Sequence, residues 1–165
     1  MRVKMEAEDG GGNPTHKALN KKVVAMLYKA LAAGDGDTVS KLATSNDDLE
    51  WRYHGPPQCQ YMMRALTGHH RRHEPEDQKF KFKPRRIMAF RDRVIVEGWD
   101  GLDDYWVHVW TLKMDGSRPV IAEFREYFNT WLTVLVRSFG KEVRVWQSEP
   151  RLHRNRSLPD IVLAI

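Results

Sequence analysis

Between residues 17 and 33 apolar side chains return every third or fourth position. Leu19, Val23, Leu27 and Leu31 lie four apart, and Val24, Tyr28 and Ala32 widen the stripe, which predicts an amphipathic helix. Gly34 ends it, and Asp37 or Thr38 is placed to cap a short second helix carrying Val39, Leu42 and Ala43. The period then drops to two. Residues 49–54 alternate as a strand, which Gly55-Pro56-Pro57 stops because proline donates nothing to a ladder. Residues 61–66 read as a short third helix, and the polar stretch 68–78 as a surface loop. Strands follow at 80–90, where Phe80, Phe82 and Pro84 share one parity, and at 94–99, 105–113, 120–129, 132–136 and 143–146. Helices first and antiparallel strands afterwards predict an α+β fold, a cone in which a curved antiparallel sheet wraps around N-terminal helices. The expected division is a disordered leader at 1–16, the folded domain at 17–148 and a C-terminal tail at 149–165.

Composition narrows the class. A chain of 165 residues supplies one domain with a real core. No run approaches the ~18 apolar residues that span a bilayer, and the leader lacks the apolar stretch of a secretory signal, so no membrane partner is expected. Cys59 is the single cysteine, which forbids an intramolecular disulfide and points to a reducing compartment, cytoplasmic or nuclear. The net charge of +5 is spread over several segments rather than striped along one helix, which disfavours nucleic acid as a partner. The alternation Phe80-Lys81-Phe82-Lys83 could serve as a base-stacking platform, but a half-buried strand explains it without a partner.

The candidate chemistry gathers on one hairpin. Asp115-Gly116 is a strong turn signal. With the turn centred near Gly116, even positions face even positions, and Trp106, His108 and Trp110 share a face with Phe124, Glu126 and Phe128. A one-residue slip would reverse the set. On this register Glu126 lies among aromatics near His108, a pair suited to general acid–base work or to a satisfied structural core. Glu97 interrupts an apolar strand and His54 ends another, so each is a candidate for a cavity mouth or for a solvated position. Arg52 and Arg125 could grip an acidic ligand or cover a sheet face with their stems. The cluster His69-His70-Arg71-Arg72-His73 falls between Gly68 and Pro75, which argues against the helical spacing of a metal site, and no metal is expected. No phosphate loop or nucleophile elbow is present, so no cofactor is expected, and nothing fixes a histidine partner for Cys59.

Several runs together resemble the plant wound-induced protein 1 family: His-Gly-Pro-Pro at 54–57, Met-Met-Arg-x-Leu-Thr-Gly at 62–68, Val-Ile-Val-Glu-Gly at 94–98, Trp-Val-His-Val-Trp-Thr at 106–111, and Arg-Glu-Tyr-Phe-Asn-Thr-x-Leu-Thr-Val at 125–134. Val-Trp-Gln-Ser at 145–148 and Ser-Leu-Pro-x-Ile-Val-Leu-Ala-Ile at 157–165 extend the likeness, with Trp131 departing from the usual small residue. The resemblance implies a nuclear transport factor 2-like (SnoaL-like) fold, an association with wounding, stress, defense and senescence, and no settled catalytic activity. It implies that Glu126 faces a pocket, that His54 lies near its rim, and that the protein pairs as a homodimer through the outer sheet face. The leading expectation is a small protein whose interior pocket, formed by Trp51, His54, Glu97, His108, Trp110, Phe124 and Glu126, takes a small apolar molecule. The alternatives are an isomerase, cyclase or hydrolase using Glu126 and His108 as catalytic acid and base, and a dimeric protein-interaction module.

Overall fold

A computed structural model describes residues 14–45, 48–66, 80–101, 104–149 and 160–165. Helix α1 (Pro14–Ala33) buries Val24, Leu27, Tyr28 and Leu31, an i, i+3, i+4, i+7 stripe turned slightly from the expected one, and leaves Leu19 40% exposed. Helix α2 (Gly36–Leu42) is capped by Asp35 rather than by Asp37 or Thr38: the Asp35 carboxylate accepts from the Thr38 backbone N–H at 3.1 Å. Strand β1 (Glu50–His54) and the short helix α3 (Tyr61–Leu66) follow. Then come β2 (Arg86–Phe90), β3 (Arg93–Asp100), β4 (Asp104–Asp115), β5 (Arg118–Phe128), β6 (Trp131–Ser138), β7 (Lys141–Gln147) and β8 (Asp160–Ala164).

The strands form a five-stranded sheet, ordered β1-β5-β4-β3-β2, and a three-stranded sheet, ordered β7-β6-β8. Both are mixed rather than wholly antiparallel, since β1 joins β5 and β8 joins β6 in parallel. Residues 160–164, expected within a tail, are thus a strand of the second sheet. Alternation predicted a strand from Phe80. The ladder begins only at Arg86, because Pro84 has no N–H, while Phe82 turns inward and is 4% exposed.

Two cores result. Even positions of β3 and β4, with Phe124 and Phe128 of β5, pack against α1 and α2. On the opposite face Ile95, Tyr105, Val107, Val109 and Tyr127 pack against Leu132, Val134, Trp146 and Leu163 of the second sheet. This is an α+β fold in which the chain's own last three strands cover the outer face of the large sheet.

The chain doubles back at Asn129. Its φ of 48° is left-handed, a conformation asparagine tolerates better than most residues. Its N–H donates to the Tyr105 carbonyl at 2.7 Å and its side-chain Oδ1 accepts from the Tyr105 N–H at 2.8 Å, so one residue makes the corner and clamps the start of β4. Ser148 closes the other end, its Oγ accepting from the Leu132 N–H at 2.9 Å.

The β4–β5 register holds a compensation. The turn is Gly116-Ser117, pairing Asp115 with Arg118, and Gly116 supplies the positive φ of 62°. This turn by itself sets even against odd. A bulge between Thr111 and Leu112, with Ala122 as the extra residue on β5, shifts the ladder by one and brings His108 opposite Glu126 and Trp110 opposite Phe124.

Candidate functional site

Strands β4 and β5 place His108 and Glu126 side by side on the inner face, 0% and 1% exposed. Helix α1 lays Tyr28 over them. The Trp110 Nε1–H donates to the Tyr28 hydroxyl at 3.0 Å, that hydroxyl lies 2.6 Å from His108 Nδ1, and His108 Nε2 bonds Glu126 Oε2. The indole can only donate, so the Tyr28 oxygen accepts from it. The arrangement that also gives the Tyr28 proton an acceptor has it donate to Nδ1, with His108 as the Nε2–H tautomer donating to the Glu126 carboxylate. The order is Trp110, Tyr28, His108, Glu126, each donating to the next.

Aromatic rings enclose this chain. Trp106 lies 4.4 Å from the His108 ring centroid, Phe82 4.8 Å and Phe124 5.1 Å, and Trp110 stacks on Phe124 at 4.3 Å. Burial lowers the His108 pKa from its ordinary value, more than the Glu126 charge raises it, and burial raises the Tyr28 pKa well above its own. At the far end the chain is incomplete. Glu126 Oε1 is buried and accepts no hydrogen bond from any described residue, and the Trp106 Nε1–H is likewise unpaired. A buried acceptor without a partner costs about 1–3 kcal/mol, more when charged. The Glu126 charge also reaches half-buried Tyr53, opposite it on β1, and half-buried Cys59, raising both pKa values as a lesser contribution than burial.

The lowered His108 pKa has a definite consequence. The unfolded chain protonates this histidine near 6.5 while the folded chain still holds it neutral. Its contribution to stability is complete above that pH and is lost on acidification until the folded pKa is reached, by up to about 1.4 kcal/mol per pH unit. Urea midpoints at descending pH are expected to fall more steeply for the wild type than for His108→Gln.

Of the expected pocket residues, the inner face brings together His108, Trp110, Phe124 and Glu126. Trp51 stands opposite Phe124 in register but on an edge strand, 42% exposed. Two expectations are corrected by parity. His54 is exposed and pairs with Tyr127, a residue of the second core, so it lies on the outer face rather than at an inner rim. Glu97 pairs with Val107 and points between the sheets, where it accepts from the Tyr105 hydroxyl at 2.5 Å, from Arg86 Nε at 2.8 Å and from the Glu149 N–H at 2.6 Å. Arg86 in turn lies over the Trp146 ring at 4.7 Å, so this cluster fastens the two sheets together. Arg52 is exposed, and Arg125 bonds Glu123. His69, His70 and His73 lie outside the described residues. Tyr28 was legible only as part of a helical stripe, and nothing local tied it to residues some 80 positions away.

Fold and site together define a class: a small α+β protein whose helices cover one sheet face, enclosing an acid–imidazole–phenol chain. The family model described as "Wound-induced protein WI12" matches residues 63–165, and the chain belongs to that family. The match takes in His108, Trp110 and Glu126, with Tyr28 ahead of it. A relative, Wound-induced protein 1 of Solanum tuberosum, is 37% identical over 114 residues, 62% of this chain and 100% of the relative. Two solved structures are similar at 20% identity, each covering 68% of this chain and 90% of its own: an NTF2-like protein from Burkholderia xenovorans, TM-score 0.45, and Bal32a from a soil-derived mobile gene cassette, TM-score 0.46.

Proposed function

We propose that this wound-induced family member binds a small, largely apolar molecule in its first core, with a hydroxyl or N–H of the ligand donated to Glu126 Oε1. The observation that carries the reading is that oxygen. His108 holds one end of the Glu126 carboxylate, the other end is buried without a described donor, and aromatic rings surround it. Apolar walls supply affinity, and one charged acceptor selects for a donor. The site is enclosed, so entry requires the wall to part. Half-buried Tyr53, Cys59 and Met63 are among the side chains packed against this core. A catalytic reading rests on the same atom, since a carboxylate backed by a fixed imidazole suits a general base.

A pair of probes tests the binding reading. 2-Naphthol carries the required donor and 2-methoxynaphthalene has the same rings without it. 2-Naphthol is expected to raise the Tm and to bind about 10–100-fold more tightly than the ether, the range for a hydrogen bond to a charged group. Glu126→Leu should abolish the difference. No Tm shift with either probe, or equal affinity for both, defeats the reading. Turnover lost in Glu126→Gln with binding kept would favour catalysis.

A further inference from the structure

The turn between β6 and β7 carries Phe139, whose side chain is fully exposed at 103% and whose φ is 50°. Each fact is unfavourable alone. A two-residue turn with positive φ at both positions suits Asn-Gly, and a bulky aromatic there is strained. Gly140, the second turn residue with φ 75°, fits the pattern, and Phe139 does not. An unburied phenylalanine also forgoes its hydrophobic gain. One residue bearing both disadvantages calls for a use outside the fold.

The hairpin projects. Strand β8 pairs with β6 only over Trp131–Leu135, whereas the β6–β7 ladder runs on to Ser138 opposite Lys141. Beyond Leu135 the end is a two-stranded ribbon among the described residues, with Lys141, Glu142, Val143 and Arg144 all exposed. Arg137, Lys141 and Arg144 are cations, and Glu142, the single acid among residues 137–144, is paired with Arg137 at 3.0 Å. The tip is therefore an aromatic knob within a basic collar, with Val143 51% exposed behind it. A stable protein interface needs a broad complementary surface, which a two-residue tip does not offer. A lipid surface needs only a protruding apolar group and cations to meet its phosphates.

We propose that this hairpin tip is a membrane-surface contact: Phe139 enters the boundary between headgroups and acyl chains of an anionic bilayer, while Lys141 and Arg144 meet lipid phosphates. The contact is peripheral and independent of the interior ligand site. It is reversible, because one ring and a few charges give modest affinity.

Co-sedimentation of the full chain with phosphatidylcholine vesicles, with and without phosphatidylserine, at low and high salt, tests it. The wild type is expected to sediment with anionic vesicles at low salt, and to be released by salt or by omission of phosphatidylserine. Phe139→Asn should weaken the partition about tenfold, the worth of one buried aromatic side chain. It should also leave Tm unchanged or raise it, because asparagine suits the turn, so lost binding cannot be read as lost folding. Lys141→Glu with Arg144→Glu should weaken binding at least about tenfold and remove the salt dependence. Equal sedimentation of wild type and Phe139→Asn overturns the proposal, as does equal binding to neutral vesicles. Absence of sedimentation at low salt also overturns it.

Discussion

Replacing Gly98 with alanine is expected to cost about 3 kcal/mol of folding stability, a fall of roughly 10 °C in Tm for a chain of this size. The general rule predicts the opposite sign, since glycine inside a strand is less stable than alanine by about 0.5–1 kcal/mol. The difference lies in what an added methyl would meet. Gly98 pairs with Trp106 across the β3–β4 ladder, and the indole lies over the bare Cα. A Cβ there would stand 2.6 Å from Trp106 Cε2, closer still to Cζ2, and 2.8 Å from the Lys83 carbonyl oxygen. Trp106 cannot yield, being 1% exposed and packed edge-on to Phe82 at 5.2 Å and beside His108. Interiors this dense transmit a displacement to their neighbours. Thermal unfolding followed by tryptophan fluorescence checks both parts: a lowered Tm and an altered native spectrum. A Gly98→Ala variant as stable as wild type would show that the ring is not held as described.

The second large effect concerns His108 and Glu126 as a pair. Changing His108 alone to leucine removes the partner of a buried carboxylate and strands the Tyr28 hydroxyl proton. Leaving two buried polar groups unsatisfied costs about 1–3 kcal/mol each, so about 2–6 kcal/mol together. Changing both, His108→Leu with Glu126→Leu, removes the carboxyl together with its partner, and the double variant should recover a good part of that loss. A coupling of about 2 kcal/mol or more is expected from the double-mutant cycle in urea. Simple additivity would mean that the two groups do not depend on one another in the folded state.

The inner face of the site was legible in the sequence to the extent that a turn signal counts parity. Asp115-Gly116 placed His108 with Glu126, and the structure does so, yet by a different route: the turn sets the opposite parity and the bulge at Thr111 and Leu112 restores it. A bulge leaves little trace in composition, so that agreement depended on two offsetting shifts. Glu97 was misplaced for a related reason. Val94-Ile95-Val96 is buried on both faces, and such a strand reads as continuous apolar sequence with no parity to count. The second sheet was legible as strands at 132–136 and 143–146. Its packing against the outer face was not, because that depends on the corner at Asn129, where one dihedral redirects everything that follows. Tyr28 shows the same gap between local pattern and tertiary contact: spacing put it on a buried stripe, and only the folded chain gives its hydroxyl a partner.

The direction of the interior hydrogen bonds sets one more limit. Because Trp110 has no lone pair to offer, the run through Tyr28 and His108 is a wire closed at one end, able to steady a charge on Glu126 but with no outlet for a proton behind it. The indole of Trp110, whose proton has nowhere else to go, is the anchor against which that run is held.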